Sequence, residues 1–274
     1  MWIESMKILL GILLAGAVLF ALYALVLLRP RGKKPGDPRL LTDYAHRGLH
    51  GGGVPENSMA AFRKAVETGC GIELDVQLSR DGEVMVFHDY TLTRMTGRRE
   101  KLSALSAAEL QALSLDGTDE TIPTFRQVLQ LVDSRVPLLV ELKGENLNTA
   151  LCEKAAALLR EYKGPYCVES FNPLLLRAMK KQLPHVFYGL LYTNVCRDKK
   201  KRSLLNLVLT AMSLNVLARP DFLAFNKLDR ESLPVRLVEK LYGLPRFVWT
   251  VKTQEDLQTA KALGEHVIFE NVRP

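Results

Sequence analysis

Two acidic side chains, Glu73 and Asp75, lie two positions apart in the apolar segment IELDVQL, residues 72–78. Positions i and i+2 of a strand point to the same side, so a strand here presents both carboxylates on one face. Two carboxylates in apolar surroundings repel each other unless a cation or a basic group lies beside them. Hard divalent cations take such oxygen ligands. The alternative is a pair of surface carboxylates on an exposed strand edge.

A third acid and a lysine share one side of a later apolar segment, PLLVELK. Glu141 and Lys143 are again two positions apart. Glu141 is a candidate third metal ligand, and Lys143 is a cation that would face a phosphate group. A salt bridge between two exposed side chains is the alternative.

Two histidines and an arginine complete the candidate set. His46 and Arg47 end the first predicted strand, and His88 ends a later one. Histidine is the natural acid or base near neutral pH, and the planar guanidinium of arginine suits two phosphate oxygens. This set of side chains, three acids, two histidines, one arginine and one lysine, is what metal-assisted nucleophilic attack at phosphorus requires.

Alternating strands and helices must position these side chains. Strand–helix alternation indicates parallel βαβ units, and about eight of them make a (β/α)₈ TIM barrel, an α/β fold. Strands are predicted at residues 43–47, 72–78, 84–88, 137–142, 166–171, 187–192, 222–226, 246–251 and 266–270. Helices are predicted at residues 58–68, 124–133, 147–162, 173–182, 203–217, 231–241 and 254–263.

Nine strands are one too many for such a barrel. Asp81-Gly82 is a tight-turn signal, so we assign residues 84–88 to a hairpin that continues from residues 72–78. A doubly wound open sheet is the main alternative fold, but its G-x-G-x-x-G motif is absent. In a barrel, the candidate residues would meet at the carboxyl ends of the strands.

The order of these motifs resembles that of the glycerophosphodiester phosphodiesterase family. The motifs are HRG, PENS, ELDVQLSRDGEVMVFHD, IPTF, VELK and a late VWTV. The resemblance covers residue 43 to the C-terminus and implies a TIM barrel with a divalent metal, commonly Ca²⁺ or Mg²⁺. It implies metal ligands at Glu73, Asp75 and Glu141, catalytic histidines at His46 and His88, phosphate contacts at Arg47 and Lys143, and a metal-adjacent residue at Glu56. Two departures are Lys252 after WTV, where the family often has Asn, and Glu270-Asn271 near the end.

The resemblance implies metal-dependent hydrolysis of glycerophosphodiesters to glycerol 3-phosphate and an alcohol, with one histidine as base and the other as acid. The glycerol 2-hydroxyl or a metal-bound water is the nucleophile, and the sequence does not choose between them. Trp249, with Phe247 and Phe171, is expected beside the substrate, although ordinary barrel core is the alternative for each aromatic residue. Lysophospholipase D-type hydrolysis of lysophospholipids is an alternative function, and a non-catalytic membrane-anchored binding protein is another.

The N-terminus predicts a membrane anchor. Residues 8–28 are uncharged and almost wholly apolar, which is long enough to span a bilayer and longer than the apolar core of a typical cleaved signal peptide, the alternative. Residues 29–42 are the predicted linker, and residues 43–274 the catalytic domain. The basic residues after the span favour a cytoplasmic domain at the cell membrane.

Composition narrows the class of partner. The chain is 47% hydrophobic with a net charge of +7, which favours anionic partners such as phosphates or acidic headgroups. Basic residues do not alternate with aromatic ones, so nucleic acid is not expected, and the sequence does not predict an oligomeric state. The basic run 199–202 precedes the apolar segment 203–218, which we expect either to lie in a membrane interface or to be a barrel helix.

Overall fold

Parallel strands close into a barrel in the computed structural model, which describes residues 2–144 and 149–274. Among these residues, β1 pairs with both β2 and β9, and every strand except β3 runs parallel to its neighbours. This confirms the predicted TIM barrel. The strands are β1 Tyr44–Ala45, β2 Gly71–Leu78, β3 Val84–Val86, β4 Leu138–Leu142, β5 Tyr166–Ser170, β6 Phe187–Tyr192, β7 Phe222–Asn226, β8 Arg246–Val251 and β9 His266–Phe269.

The hairpin predicted for residues 84–88 is also confirmed. β3 pairs antiparallel with β2, with Val76 opposite Val86 and Leu78 opposite Val84. Gly82 has a φ of +82° in the turn between them, a conformation that glycine adopts without steric cost. The hairpin leaves β2 free to pair with β1 and β4 inside the barrel wall.

Helices surround the barrel and begin at the capping residues that the sequence supplies. Ser58 accepts a hydrogen bond from the backbone of Ala61, and Thr124 forms a capping box with Gln127, both of which satisfy free N–H groups. The helices are α1 Trp2–Leu22, α2 Met59–Glu67, α3 Thr93–Thr96, α4 Ala107–Gln111, α5 Phe125–Val132, α6 Ala150–Glu161, α7 Pro173–Gln182, α8 Val195–Asp198, α9 Leu204–Thr210, α10 Asn215–Ala218, α11 Leu233–Tyr242 and α12 Gln254–Ala262. The first residues of the helix predicted at 147–162 lie outside the described residues.

One predicted helix is broken. Residues 203–217 form α9 and α10 instead of a continuous helix, with Met212 at a φ of +50° between them. The buried Asn215 donates its side-chain N–H to the backbone oxygen of Leu28, 2.8 Å away. This contact comes from a distant part of the chain, so helical periodicity alone did not reveal it.

Aromatic side chains fill the interior of the barrel. Tyr44, Phe187, Phe222 and Phe247 are buried together there, with ring centroids 4.9 Å apart for Phe187 and Phe222 and for Phe222 and Phe247. The expectation that Phe247 lies beside the substrate was therefore wrong, and its alternative, ordinary barrel core, is what the structure shows.

The segment between β3 and α5 forms a small additional layer. Its apolar side chains, which include Leu92, Leu102, Leu110 and Ile122, pack as a separate cluster with Met85 of β3. No helix or strand is predicted from the sequence for residues 89–123. This layer carries Arg94, which reaches the candidate active site described below.

The N-terminal helix stands away from the barrel along most of its length. α1 has no buried residue, and Trp2–Leu27 is long and apolar enough to cross a membrane, as a signal sequence near the N-terminus would also be. Its last turn, a π-helical segment Tyr23–Leu27, packs on the barrel, where Ala24 and Leu28 are buried. The end of the predicted span therefore contacts protein.

An ion pair fastens the predicted linker to the barrel. Arg31 donates from Nε to the fully buried carboxylate of Asp221 at 2.8 Å, and also bonds the backbone oxygens of Pro184 and Val186 at 2.9 and 2.7 Å. Asp221 accepts further bonds from the backbone N–H groups of Lys33 and Tyr188. Residues 31–33 are thereby held against the segments that precede β6 and β7.

We expect Arg31→Met to lower the free energy of unfolding by about 2–3 kcal/mol, because it removes charged hydrogen bonds from the buried Asp221 carboxylate, while the 27% exposure of Arg31 keeps the loss below that of a fully buried ion pair. Urea titration in detergent measures this. Arg29→Met is the matched control, since it removes the same charge from an exposed position and should cost less than about 0.5 kcal/mol. Equal losses in the two variants would contradict a specific role for the ion pair.

Candidate active site

Three adjacent strands bring four acidic side chains to one end of the barrel. In the strand register Asp75 of β2 lies opposite Glu141 of β4, and Glu141 lies opposite Glu169 of β5. Glu73 is two positions earlier on β2, and all four side chains are buried. Carboxylate oxygens of Glu73, Asp75 and Glu141 lie within 4.8 Å of one another. The structure therefore brings together the three acids predicted as metal ligands.

Burial and mutual repulsion make these acids hard to ionise. Burial, followed by the neighbouring carboxylates, raises the pKa of Glu73 and of Glu169 well above the ordinary range. Burial also raises the pKa of Glu141 to about 8, although Lys143 opposes it. Burial acts on Asp75 in the same direction, but Lys143, His88 and Arg47 outweigh it and lower the pKa. A cluster of this kind favours a cation at its centre.

Lys143 is one of two basic groups that compensate the acids. It follows β4 and lies at the same end of the barrel, where Nζ is 3.0 Å from Glu141 Oε1 and 3.3 Å from Asp75 Oδ1. Its side chain is only 9% exposed. The alternative of an exposed salt bridge therefore does not apply, because the ammonium group pairs with buried carboxylates.

Arg47 is the second basic group and occupies a strained turn after β1. Its φ is +57°, and its backbone N–H donates to Glu73 Oε2 at 2.8 Å. Its guanidinium donates to Glu56 Oε1 at 2.8 Å and lies 3.6 Å from Asp75. The following Gly48 has a φ of +79°, and a Cβ there would come within 2.9 Å of Ala61 and Phe62. The HRG triplet thus allows β1 to turn sharply at the edge of the acidic cluster.

Buried oxygens without a hydrogen-bond donor indicate that the cluster fits a cation. Among the described side chains, Asn57 Oδ1 and Glu169 Oε2 are buried with no hydrogen-bond partner, and Asp75 Oδ1 has only its ion pair with Lys143. Asn57 is oriented by its amide group, which donates to Asp75 Oδ2 at 2.9 Å. Carboxylate and amide oxygens are the ligands of hard divalent cations, so the donor set matches Ca²⁺ or Mg²⁺.

His46 is oriented by Glu270. The ring Nδ1 lies 2.5 Å from Glu270 Oε1, and Nε2 is 3.9 Å from Glu73 Oε2. Burial opposes ionisation of Glu270, yet hydrogen bonds from His46 and Lys252 lower its pKa to about 2. Since Glu270 is ionised, Nδ1 of His46 carries the proton and Nε2 is free to accept one. The two departures noted in the sequence, Lys252 and Glu270, thus contact each other at 2.6 Å beside His46.

His88 is oriented by a chain of polar contacts that leads to Glu56. Its Nδ1 donates to Asp89 Oδ1 at 2.7 Å, and Arg94 donates to Asp89 Oδ2 at 2.7 Å. Arg94 also bonds Glu56 Oε1 at 2.6 Å, and Glu56 in turn accepts from Arg47. Glu56, predicted as a metal-adjacent residue, therefore accepts hydrogen bonds from both Arg47 and Arg94.

A cavity of about 170 Å³ joins these groups. Trp249 and Phe171 stand on its wall with their rings edge to face at 5.6 Å, so these two aromatic residues do lie at the site. His46, Arg47, Glu73, His88, Glu141 and Glu169 also line the cavity. Two of the predicted acids, both histidines and Arg47 are thus accessible to one small ligand. Asp75 and Lys143 are not among the lining residues, and Lys143 contacts Asp75 and Glu141 behind the cavity wall.

The sequence model of the Glycerophosphoryl diester phosphodiesterase family matches residues 46–272. The chain belongs to this family. A glycerophosphodiester phosphodiesterase of Caldanaerobacter subterraneus subsp. tengcongensis is 34% identical over 227 residues, which are 78% of this chain and 87% of that protein. A lysophospholipase D of Rattus norvegicus is 33% identical over 132 residues, which are 43% of this chain and 41% of that protein. The activity is therefore that of a glycerophosphodiester phosphodiesterase.

Solved structures of other family members share the fold. A phosphodiesterase of Oleispira antarctica in complex with the product sn-glycerol-3-phosphate superposes with a TM-score of 0.69 at 23% identity, covering 84% of this chain and 92% of that one. The glycerophosphodiester phosphodiesterase of Thermotoga maritima gives a TM-score of 0.62 at 28% identity, covering 83% and 94%. Both similarities support the fold assignment.

Several residues at the site of this family member were not singled out in the sequence. Glu169 has the signal that identified Glu73 and Asp75, an acid within a buried strand, but it stands without a second charge in its segment. Asn57 is uncharged and directly precedes the helix-capping Ser58, so its residue type did not indicate a place in an acidic cluster. Arg94 lies in the layer without predicted elements, so its contact with Glu56 and Asp89 required the tertiary structure.

We expect Ca²⁺ or Mg²⁺ to stabilise the chain, because a cation relieves repulsion among the buried acids. A free cation concentration a hundred times its dissociation constant adds about 2.7 kcal/mol to the free energy of unfolding. The increase should disappear in Glu73→Gln and persist in Glu67→Gln, a change at an exposed position. Unfolding titrations with the cation and with EDTA provide the measurement, and an undiminished increase in Glu73→Gln would contradict this metal site.

Proposed function

We propose that the chain hydrolyses glycerophosphodiesters to glycerol 3-phosphate and an alcohol, with a divalent cation held by Glu73, Asp75 and Glu141. The observation that carries this proposal is the cluster of three buried acids whose oxygens lie within 4.8 Å of one another. Two of them, Glu73 and Glu141, line a cavity together with His46 and His88. When bound, Ca²⁺ or Mg²⁺ would neutralise the negative charge that develops on the phosphate in the transition state.

Arg47 and Lys143 supply further positive charge to a phosphodiester in the cavity. Arg47 lines the cavity, and its Nε makes no hydrogen bond among the described residues but lies 3.6 Å from Asp75 Oδ2, so the guanidinium can turn a donor toward a phosphate oxygen. Hydrogen bonds between arginine and phosphate carry full charge on both partners and are stronger than neutral ones. Lys143 holds Asp75 and Glu141 and adds its field to the same end of the barrel. Trp249 packs beside the alcohol portion of the substrate.

His46 and His88 exchange protons with the nucleophile and the leaving alcohol. Each has its Nδ1 bonded to a carboxylate, Glu270 for His46 and Asp89 for His88. This leaves Nε2 of each ring for the substrate. Burial lowers the pKa of both rings, which favours the neutral form that a general base needs. The other histidine supplies its proton from the imidazolium form. The same geometry serves attack by the glycerol 2-hydroxyl or by water.

We expect His46→Ala and His88→Ala each to lower kcat for glycerophosphocholine by about 10²–10⁴-fold, because each removes a proton-transfer group. KM should change little. Glycerol 3-phosphate release is measured with Ca²⁺ or Mg²⁺ and with EDTA, and EDTA should abolish it. His185→Ala alters an exposed histidine and serves as the control.

The same assay separates this proposal from its alternatives. Near-normal rates in both histidine variants would refute two-histidine catalysis, and full activity in EDTA would refute metal dependence. A chain that gains stability from the cation but releases no glycerol 3-phosphate would indicate a non-catalytic binding protein.

We also propose that α1 anchors the chain in the cell membrane with the barrel in the cytoplasm. Support comes from its apolar length and from the basic residues that follow it, because positive flanks stay cytoplasmic. Protease added to intact spheroplasts should leave residues 43–274 uncut until the membrane is opened with detergent. Digestion before detergent would reverse the orientation, and recovery of a mature chain that lacks α1 would indicate a cleaved signal.

A further inference from the structure

An apolar cleft of about 280 Å³ adjoins the candidate active site. It lies between the carboxyl ends of β5 and β6 and the α9–α10 segment, and it shares Phe171 and Leu191 with the catalytic cavity. Most of its remaining wall is apolar, with Leu190, Val195, Leu209 and Met212 among the lining residues. The proposed hydrolysis of a soluble glycerophosphodiester does not use this cleft, since such a substrate is polar at both ends.

The base of the N-terminal helix packs behind the wall of this cleft. Tyr23 donates its hydroxyl to the backbone oxygen of Ala211 at 2.8 Å, and Asn215, which lines the cleft, donates to the backbone oxygen of Leu28 at 2.8 Å. Arg31 is bonded to Asp221, just before β7. The α9–α10 segment runs from the carboxyl end of β6 to the amino end of β7. Arg31 therefore lies near the amino end of the barrel strands, and Tyr23, which precedes it in the chain, lies closer to the active-site end.

The outer surface of the same segment fits a lipid bilayer. Leu204, Leu205 and Leu207 of α9 are 79%, 61% and 49% exposed. The basic run 199–202, which is also exposed, immediately precedes them. Adjacent leucines and basic side chains are typical of a surface that inserts its apolar face among anionic headgroups. Both the cleft and its wall would then lie at the membrane.

We propose that the cleft is a subsite for the acyl chain of a lysophospholipid drawn from the bilayer. Its phosphodiester would occupy the catalytic cavity, so this inference rests on the proposed function. Water adds to phosphorus, the bond from phosphorus to the headgroup oxygen breaks, and that oxygen takes a proton. The products are a monoacylglycerol phosphate, whose chain stays in the cleft, and the headgroup alcohol. An apolar wall continuous with a polar reaction site suits a ligand with this division.

The test compares lysophosphatidylcholine in phosphatidylcholine vesicles with soluble glycerophosphocholine, using the full chain and added cation. Leu209→Gln makes the wall polar while keeping a good helix former. It should lower kcat/KM for the lysolipid at least about tenfold, because several methylenes lose their apolar contact, and should change that for glycerophosphocholine less than twofold. Val195→Trp, which fills the cleft, should act in the same direction. Leu263→Gln, on an exposed leucine at the end of α12, is the matched control.

A binding measurement without turnover keeps the two proposals separable. Trp2→Phe leaves Trp249 as the single tryptophan, beside the Phe171 that the cleft and the cavity share. In EDTA, lysophosphatidylcholine with a brominated acyl chain should quench its fluorescence saturably, and Leu209→Gln should abolish this quenching while Leu263→Gln preserves it. Glycerophosphocholine hydrolysis without quenching, or equal effects of the cleft variants on both substrates, would overturn the acyl subsite. Quenching without any hydrolysis would overturn the proposed function and leave the subsite standing.

Discussion

Glu73, Asp75, Glu141 and Glu169 are buried side by side at the carboxyl ends of neighbouring strands. Carboxylates placed so close together in a low-dielectric interior destabilise their own ionised forms, which raises the pKa of three of the four. Such an arrangement persists only where positive charge offsets the repulsion. Lys143 and Arg47 provide part of that charge, and the unbonded oxygens of the cluster leave a place for more.

The rest of the site follows from this need for compensating charge. Arg47 enters the cluster from a left-handed turn, and its other partner, Glu56, is shared with Arg94. Arg94 continues to Asp89 and His88, while Glu270 holds His46 on the opposite side. Each histidine is thus oriented by a carboxylate, which fixes the tautomer and points the second ring nitrogen at the cavity. The additional layer at residues 89–123 contributes to the site because it carries Arg94, which links Asp89 to Glu56.

The N-terminal segment contacts the barrel at two places. Arg31 and Asp221 hold the chain at the amino end of β7, and Tyr23 and Leu28 hold it against the α9–α10 segment. The break between α9 and α10 lies where these contacts are made. The same segment lines the apolar cleft, which shares Phe171 and Leu191 with the catalytic cavity. The N-terminal helix, the cleft and the cavity are thus adjacent, and this is the route that we propose for a lipid substrate.

The sequence by itself determined the barrel and most of the residues that meet at its carboxyl end. Short apolar runs predict strands, and an acid inside such a run is visible in the sequence alone. Glu73, Asp75 and Glu141 could therefore be identified as candidate site residues before the structure was known. The hairpin was equally local, because Asp81-Gly82 demands a turn. Only the tertiary structure decided that Glu169 joins the cluster, that Phe247 lies in the core while Trp249 lines the cavity, and that Arg94 and Glu270 orient the histidines. These facts depend on strand register and on contacts between segments far apart in the chain, which periodicity and composition do not encode.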